Sequence, residues 1–131
     1  ILMSVKSNLN DMILSFAKEV QQLRARGAKD IILDPGFGFG KDLQQNYAVL
    51  NGLEELRALE LPLLIGVSRK RMIYQLVGDD ASTALNGTTA IHAASLMKGA
   101  NILRVHDVAE AVETVKIISE MQQSSPSDEW A

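Results

Sequence analysis

Three short stretches of this chain gather the residue types that can do chemistry. Asp34 follows the apolar run 31–33 and opens into Pro35, Gly36, Phe37, Gly38, Phe39, Gly40 and Lys41. Ser68, Arg69, Lys70 and Arg71 follow the apolar run 63–67. The run 102–105 contains Arg104 and empties into His106 and Asp107. A carboxylate at position 34 can accept hydrogen bonds from a ring N–H or an amino group. The Lys70 ammonium is a flexible point donor suited to a carbonyl or a ring nitrogen. Arg104 and His106 stand two apart, so on a regular strand they share a face. Together they can clamp a phosphate or pyrophosphate, the arginine with a bidentate fork. Glycines at 36, 38 and 40 let the backbone turn tightly or approach a ligand closely. Phe37 and Phe39 are open to two readings: a binding rim, or aromatics that cover the core. The glycine spacing lacks the full phosphate-loop and dinucleotide fingerprints, which excludes ATPase and Rossmann dehydrogenase chemistry.

Each chemical stretch needs an element to carry it. The runs 31–33, 63–67 and 102–105 are short, apolar and rich in β-branched residues, the pattern of strands buried on both faces. Helical stripes separate them. Met12, Ile13, Phe16, Val20 and Leu23 form one, capped by Asn8 or Asn10 and stopped by Gly27. Leu43, Tyr47, Leu50, Leu53 and Leu56 form a second, ending before Pro62. A short helix over 72–76 precedes an alanine-rich one over 84–98, capped by Ser82 or Thr83 and closed by Gly99. The last carries Val108, Val112, Val115 and Ile118, with Asp107 as its cap. Residues 1–3 read as the tail of an earlier strand. This order predicts parallel βα units with right-handed crossovers. In such units all carboxyl ends of the strands face one way, and ligands bind there. The opposite ends carry Lys29-Asp30, Leu61-Pro62 and Ala100-Asn101, a much weaker chemical set. Arg69 reads as a solvated or salt-bridged arginine, His92 as structural or interfacial, and Thr88 and Thr89 as ordinary helix residues.

Composition narrows the classes. With 131 residues, 47% hydrophobic and 22% charged, the chain suits one modest soluble domain. That domain is expected over 1–121, followed by a disordered tail over 122–131 that holds Trp130. No apolar run approaches the roughly 20 residues that span a membrane. The start has no basic region before its apolar residues, so no secretion signal is expected. Absence of cysteine excludes disulfides and thiolate metal sites and suits a cytoplasmic protein. A net charge of −3 without a dense basic run excludes nucleic acid and anionic membrane as general partners.

Taken together, Asp34-Pro-Gly-Phe-Gly-Phe-Gly-Lys41, Gly66-Val-Ser-Arg-Lys70, Gly87-Thr88 and Ile102-Leu-Arg-Val-His-Asp-Val108 resemble the later motifs of the dihydropteroate synthases, over residues 31–121. The resemblance implies an α/β fold, the C-terminal half of a TIM-type (β/α)8 barrel of parallel strands alternating with helices. It implies a transferase of folate biosynthesis, joining (dihydropterin-6-yl)methyl diphosphate to 4-aminobenzoate with release of diphosphate. Asp34 and Lys70 would hold the pterin ring. Arg104 and His106 would hold the diphosphate and, with Lys70, form the catalytic set. Gly38 and Phe39 would line the aminobenzoate pocket, with Ser68 nearby and Gly66 in the same binding set. Met3 resembles a pterin-contacting methionine. A magnesium ion is implied, its asparagine ligand expected in a preceding half, with no metal ligand in this chain; a homodimer is implied too. Two departures stand out. Arg71 replaces a second serine that would meet the aminobenzoate carboxylate, and the segment after Met3 lacks the family's His-Met-Gly-Pro flavour. A whole barrel needs about 200 or more residues, so the isolated chain is expected to be inactive. Two other readings compete. One is an inactive fragment or paralogue serving as a dimerisation module through helices 84–98 and 108–121. The other is a pterin-binding methyltransferase domain, against which the 68–70 and 104–106 motifs argue.

Overall fold

The computed structural model describes the backbone of residues 2–4, and residues 9–38, 41–78, 80–124 and 126 in full. Four parallel strands alternate with helices. They are β1 (Leu2–Ser4), β2 (Ile32–Asp34), β3 (Leu64–Ile65) and β4 (Ile102–Leu103). β1 pairs with β2, placing Met3 opposite Leu33 and Ser4 opposite Asp34. β3 pairs with β4. A parallel bridge from Leu33 to Leu63 joins the two pairs, with the Leu33 N–H donating to the Pro62 carbonyl at 2.9 Å. The spatial order therefore follows the chain order. That is the progression of a barrel; an open doubly wound sheet reverses its strand order at a switch point.

The helices are α1 (Leu9–Ala25), α2 (Leu43–Asn51), α3 (Arg71–Val77), α4 (Leu85–Met97) and α5 (Val108–Gln123). α1 buries Met12, Phe16 and Val20, the stripe its spacing predicts. These meet Leu33, Val49, Leu53, Leu56 and Ile65 in one core. The second stripe does not run as a single helix: it stops at Gly52 and resumes as a 3-10 helix over Leu53–Leu59. Leu9 of α1 packs where a Gly52 side chain would stand, so a close helix contact falls at the break.

Several expectations are corrected at this level. The ladders of β3 and β4 end at Ile65 and Leu103, short of residues 67 and 105, so Arg104 lies just beyond its strand. α4 starts after Ala84 without a side-chain cap. Ser82 and Thr83 belong instead to a 3-10 turn that Asp80 caps, its Oδ1 accepting from the Ser82 N–H at 2.8 Å. Asn10 lies inside α1, and Asn8 is outside the described residues. α5 buries Ala111, Thr114 and Ile118 but leaves Val108, Val112 and Val115 exposed. Helical spacing thus marked an apolar face without naming what covers it. His92, on α4, is buried, and its Nε2 has no hydrogen-bond partner among the described residues. α5 runs to Gln123; residue 125 and residues 127–131 of the expected tail lie outside the described residues. No helix among the described residues is long and apolar enough to cross a membrane.

Candidate active site

β2 delivers Asp34 to its carboxyl end, 4% exposed, with Oδ1 accepting the Gly36 N–H at 2.8 Å. Gly36 and Gly38 both have positive φ, 71° and 85°, a conformation that favours glycine. The loop they shape is fastened from several sides. The Lys41 ammonium donates to the Pro35 and Gly36 carbonyls at 3.2 and 3.0 Å. Asn46 of α2, 4% exposed, accepts the Gly38 N–H at 2.8 Å and donates to the Asp42 carbonyl at 3.0 Å. Asp42 caps α2 through a reciprocal pair of bonds with Gln45. Phe37 is buried in the core and also borders the cavity between this loop and α3, so it covers the core and lines the rim at once. Phe39 and Gly40 lie outside the described residues, as does the Met3 side chain.

β3 releases its chain at Gly66. Arg104 lies so close across this glycine that a Cβ there would stand 2.5 Å from its guanidinium. Ser68 is buried, and its hydroxyl accepts the His106 N–H at 3.2 Å. Lys70 then turns back over the β2 loop. Its ammonium donates to the Phe37 carbonyl at 2.8 Å, and its stem passes Gly38. Burial pushes the Lys70 ammonium below its ordinary range. Arg104 and Lys41 add to that shift, and Asp34 opposes it. Lys70 thus feels the charges of both neighbouring exits.

Between the β2 loop and α3 opens a cavity of about 820 Å³, lined by Gly38, Lys41, Asn46, Lys70, Arg71 and Met72 among others. The expected site residues therefore divide. Gly38, Lys70 and Arg71 share the cavity. Asp34, Gly66, Ser68, Arg104 and His106 do not line it, and Lys70, which does, feels the charges of Asp34 and Arg104. Arg104 and His106 are both exposed past the end of β4, with Val105 and Asp107 less so. The arrangement offers a carboxylate, an ammonium of reduced proton affinity, an exposed arginine and imidazole, and a mainly apolar cavity bordered by Lys41, Asp42, Lys70 and Arg71. Among the described residues no three His, Asp or Glu side chains converge as a metal site.

Sequence reasoning missed three contributors. Asn46 sits three residues after Leu43 and four before Leu50, a polar residue on a buried stripe, which is a readable signal. Thr88 is buried and accepts the Arg69 N–H at 3.0 Å. Asp107 does not cap α5 with its side chain; its carboxylate meets Arg69 at 2.9 Å, and that hydrogen bond holds it below the usual carboxylate range.

Comparison with known proteins follows this geometry closely. The family model described as "Pterin binding enzyme" matches residues 4–106. A dihydropteroate synthase of Escherichia coli K12 is 45% identical over 105 residues, covering 79% of this chain and 37% of the relative. The crystal structure of the Yersinia pestis dihydropteroate synthase superposes with a TM-score of 0.86 at 40% identity, covering 94% of this chain and 58% of that one. The Thermus thermophilus dihydropteroate synthase in complex with 4-aminobenzoate gives 0.81 at 36% identity, covering 91% and 49%. The four consecutive strands are thus part of a TIM-type barrel, and the chain spans 37% of the length of the curated E. coli relative.

Proposed function

Because the chain belongs to the pterin binding enzyme family, we propose that it supplies the C-terminal part of a dihydropteroate synthase, with the strand-exit groups of four of its strands. The observation that supports this reading best is Lys70. It is bonded to the Phe37 carbonyl, lines the cavity between the β2 loop and α3, and is held in the fields of Asp34 and Arg104. One side chain therefore borders the places required for both substrates.

In this reading Asp34 accepts from the amino and ring N–H edge of a dihydropterin, and Lys70 donates to its carbonyl or ring nitrogen. Arg104 and His106 face the diphosphate. The C–O bond between the pterin methylene and diphosphate breaks with its electron pair on the leaving oxygen, where the two cations stabilise the charge. Preorganised donors of this kind contribute about 3 kcal/mol each. The dihydropterin delocalises the cation left behind. The aniline nitrogen of 4-aminobenzoate, the ligand in the T. thermophilus complex, attacks that methylene to form the C–N bond, and its proton leaves to water or diphosphate. Lys41 and Arg71 suit the aminobenzoate carboxylate at the cavity wall, Arg71 standing where the family has serine. Two cations beyond β4 fit a diphosphate substrate and have no task in methyl transfer. Magnesium would supply charge at the leaving group, with its asparagine ligand expected in the preceding half, and no step here is routed through it. The reading extends to a cytoplasmic homodimer.

A chimera tests it: the E. coli relative's preceding strands fused ahead of this chain. Pyrophosphate release coupled to dihydropteroate formation is expected, and Arg104→Ala in the chimera should lose affinity for the diphosphate substrate far more than for 4-aminobenzoate. A folded chimera that never releases pyrophosphate would contradict the assignment.

A further inference from the structure

We propose that Arg69 is a positioning residue, whose ion pair with Asp107 sets the spacing between the β3 and β4 exits and so between Lys70 and the Arg104–His106 pair. The inference rests on the site proposed above and adds to it the part that fixes its geometry. The sheet stops early here: the last rung joins the Arg104 N–H to the Ile65 carbonyl at 3.0 Å. Past that rung, side chains tie the exits together. Ser68 Oγ takes the His106 N–H, and Arg69 takes Asp107, so adjacent residues of one loop hold adjacent residues of the other.

Arg69 is built for this task. Its φ of 55° lies in the left-handed region, a strained conformation for a non-glycine residue. The buried Thr88 hydroxyl holds that conformation by accepting its N–H. The turn sends Arg69 toward Asp107 while Lys70 reaches the Phe37 carbonyl. The guanidinium meets Asp107 as a fork, Nε to Oδ2 at 2.9 Å and Nη2 to Oδ1 at 3.0 Å. Nη1 donates to the Ala81 and Ser82 carbonyls at 2.8 and 3.3 Å, fastening the turn ahead of α4 as well. Four of its five N–H groups are spent inside the protein, so it has little left for a substrate. Asp107 stands at the N-cap of α5 yet gives no side-chain cap bond there, because its carboxylate serves Arg69.

The test uses the 131-residue chain with Arg69→Lys, which keeps the charge and loses the fork, and Asp107→Asn, which keeps the shape. Calorimetric titration with pyrophosphate and with 4-aminobenzoate gives the two affinities, and amide exchange reports residues 69 and 106. Each variant is expected to weaken pyrophosphate binding about tenfold while sparing 4-aminobenzoate, and the double variant to be no weaker than either single one. Exchange at both amides is expected to quicken in Asp107→Asn. A lowered melting midpoint with pyrophosphate affinity intact, or equal losses for both ligands, would overturn the proposal. If the unaltered chain binds neither ligand, the titrations pass to the chimera, whose pyrophosphate release tests the functional reading separately, and the exchange rates in the chain decide the clamp: unchanged rates in Asp107→Asn overturn it, and faster ones support it.

Discussion

Single side chains at this rim trade stability for a ligand. Lys70 is the clearest case, since burial and Arg104 both disfavour its charged form. Between its lowered folded pKa and the ordinary 10.5, the unfolded chain binds the extra proton, so stability climbs as pH rises through that window. Lys70→Met should remove the climb. Its melting midpoint should exceed the parent's at neutral pH, the difference closing as pH rises, while pterin affinity falls about tenfold. Gly66 makes the converse point. Its missing side chain is the space that Arg104 occupies, and the atoms a Cβ would meet belong to the mobile end of that arginine. Gly66→Ala should therefore displace the guanidinium without disturbing the backbone. Stability should change by less than about 0.5 kcal/mol, with a tenfold or greater loss in pyrophosphate titration of the same variant.

At the scale of elements, the loop after β2 is the part whose shape depends on one helix residue. Asn46 of α2 reaches the Gly38 N–H and the Asp42 carbonyl together. Asn46→Ala removes two part-buried hydrogen bonds, which contribute about 1 kcal/mol each. Denaturant unfolding should show that loss, and the Gly38 amide should exchange faster than those of β2. The strands and α1 were legible from their runs because burial on both faces, or a stripe of Met12, Phe16 and Val20, leaves a periodic trace. The polar exits were legible for the same reason, as residues that interrupt an apolar run. Caps were not. Asp107, Ser82 and Thr83 all have cap chemistry, and which groups they meet depends on Arg69 and Asp80, partners a local reading cannot weigh. The early ends of β3 and β4 were hidden too, since Val67 and Val105 stay apolar beyond the ladder.

Across the whole molecule, the arc of four strands presents an apolar flank beyond β4. Ile102, Val108, Val112 and Val115 are exposed there. If the chain is one part of a closed barrel, that flank meets the barrel's opening strand and helix. Val112→Asp should then leave the 131-residue chain's stability within about 0.5 kcal/mol, as an exposed substitution does, yet abolish pyrophosphate release by the chimera; full activity would deny that the flank is covered. Closure matters less for function than convergence. Labelled side chains of Asp34, Lys70 and Arg104 can be followed by NMR while a dihydropterin diphosphate is titrated into the chain. One substrate spanning the three exits predicts that all three signals move along a single isotherm. Separate isotherms, or any of the three unmoved at saturation, would contradict it.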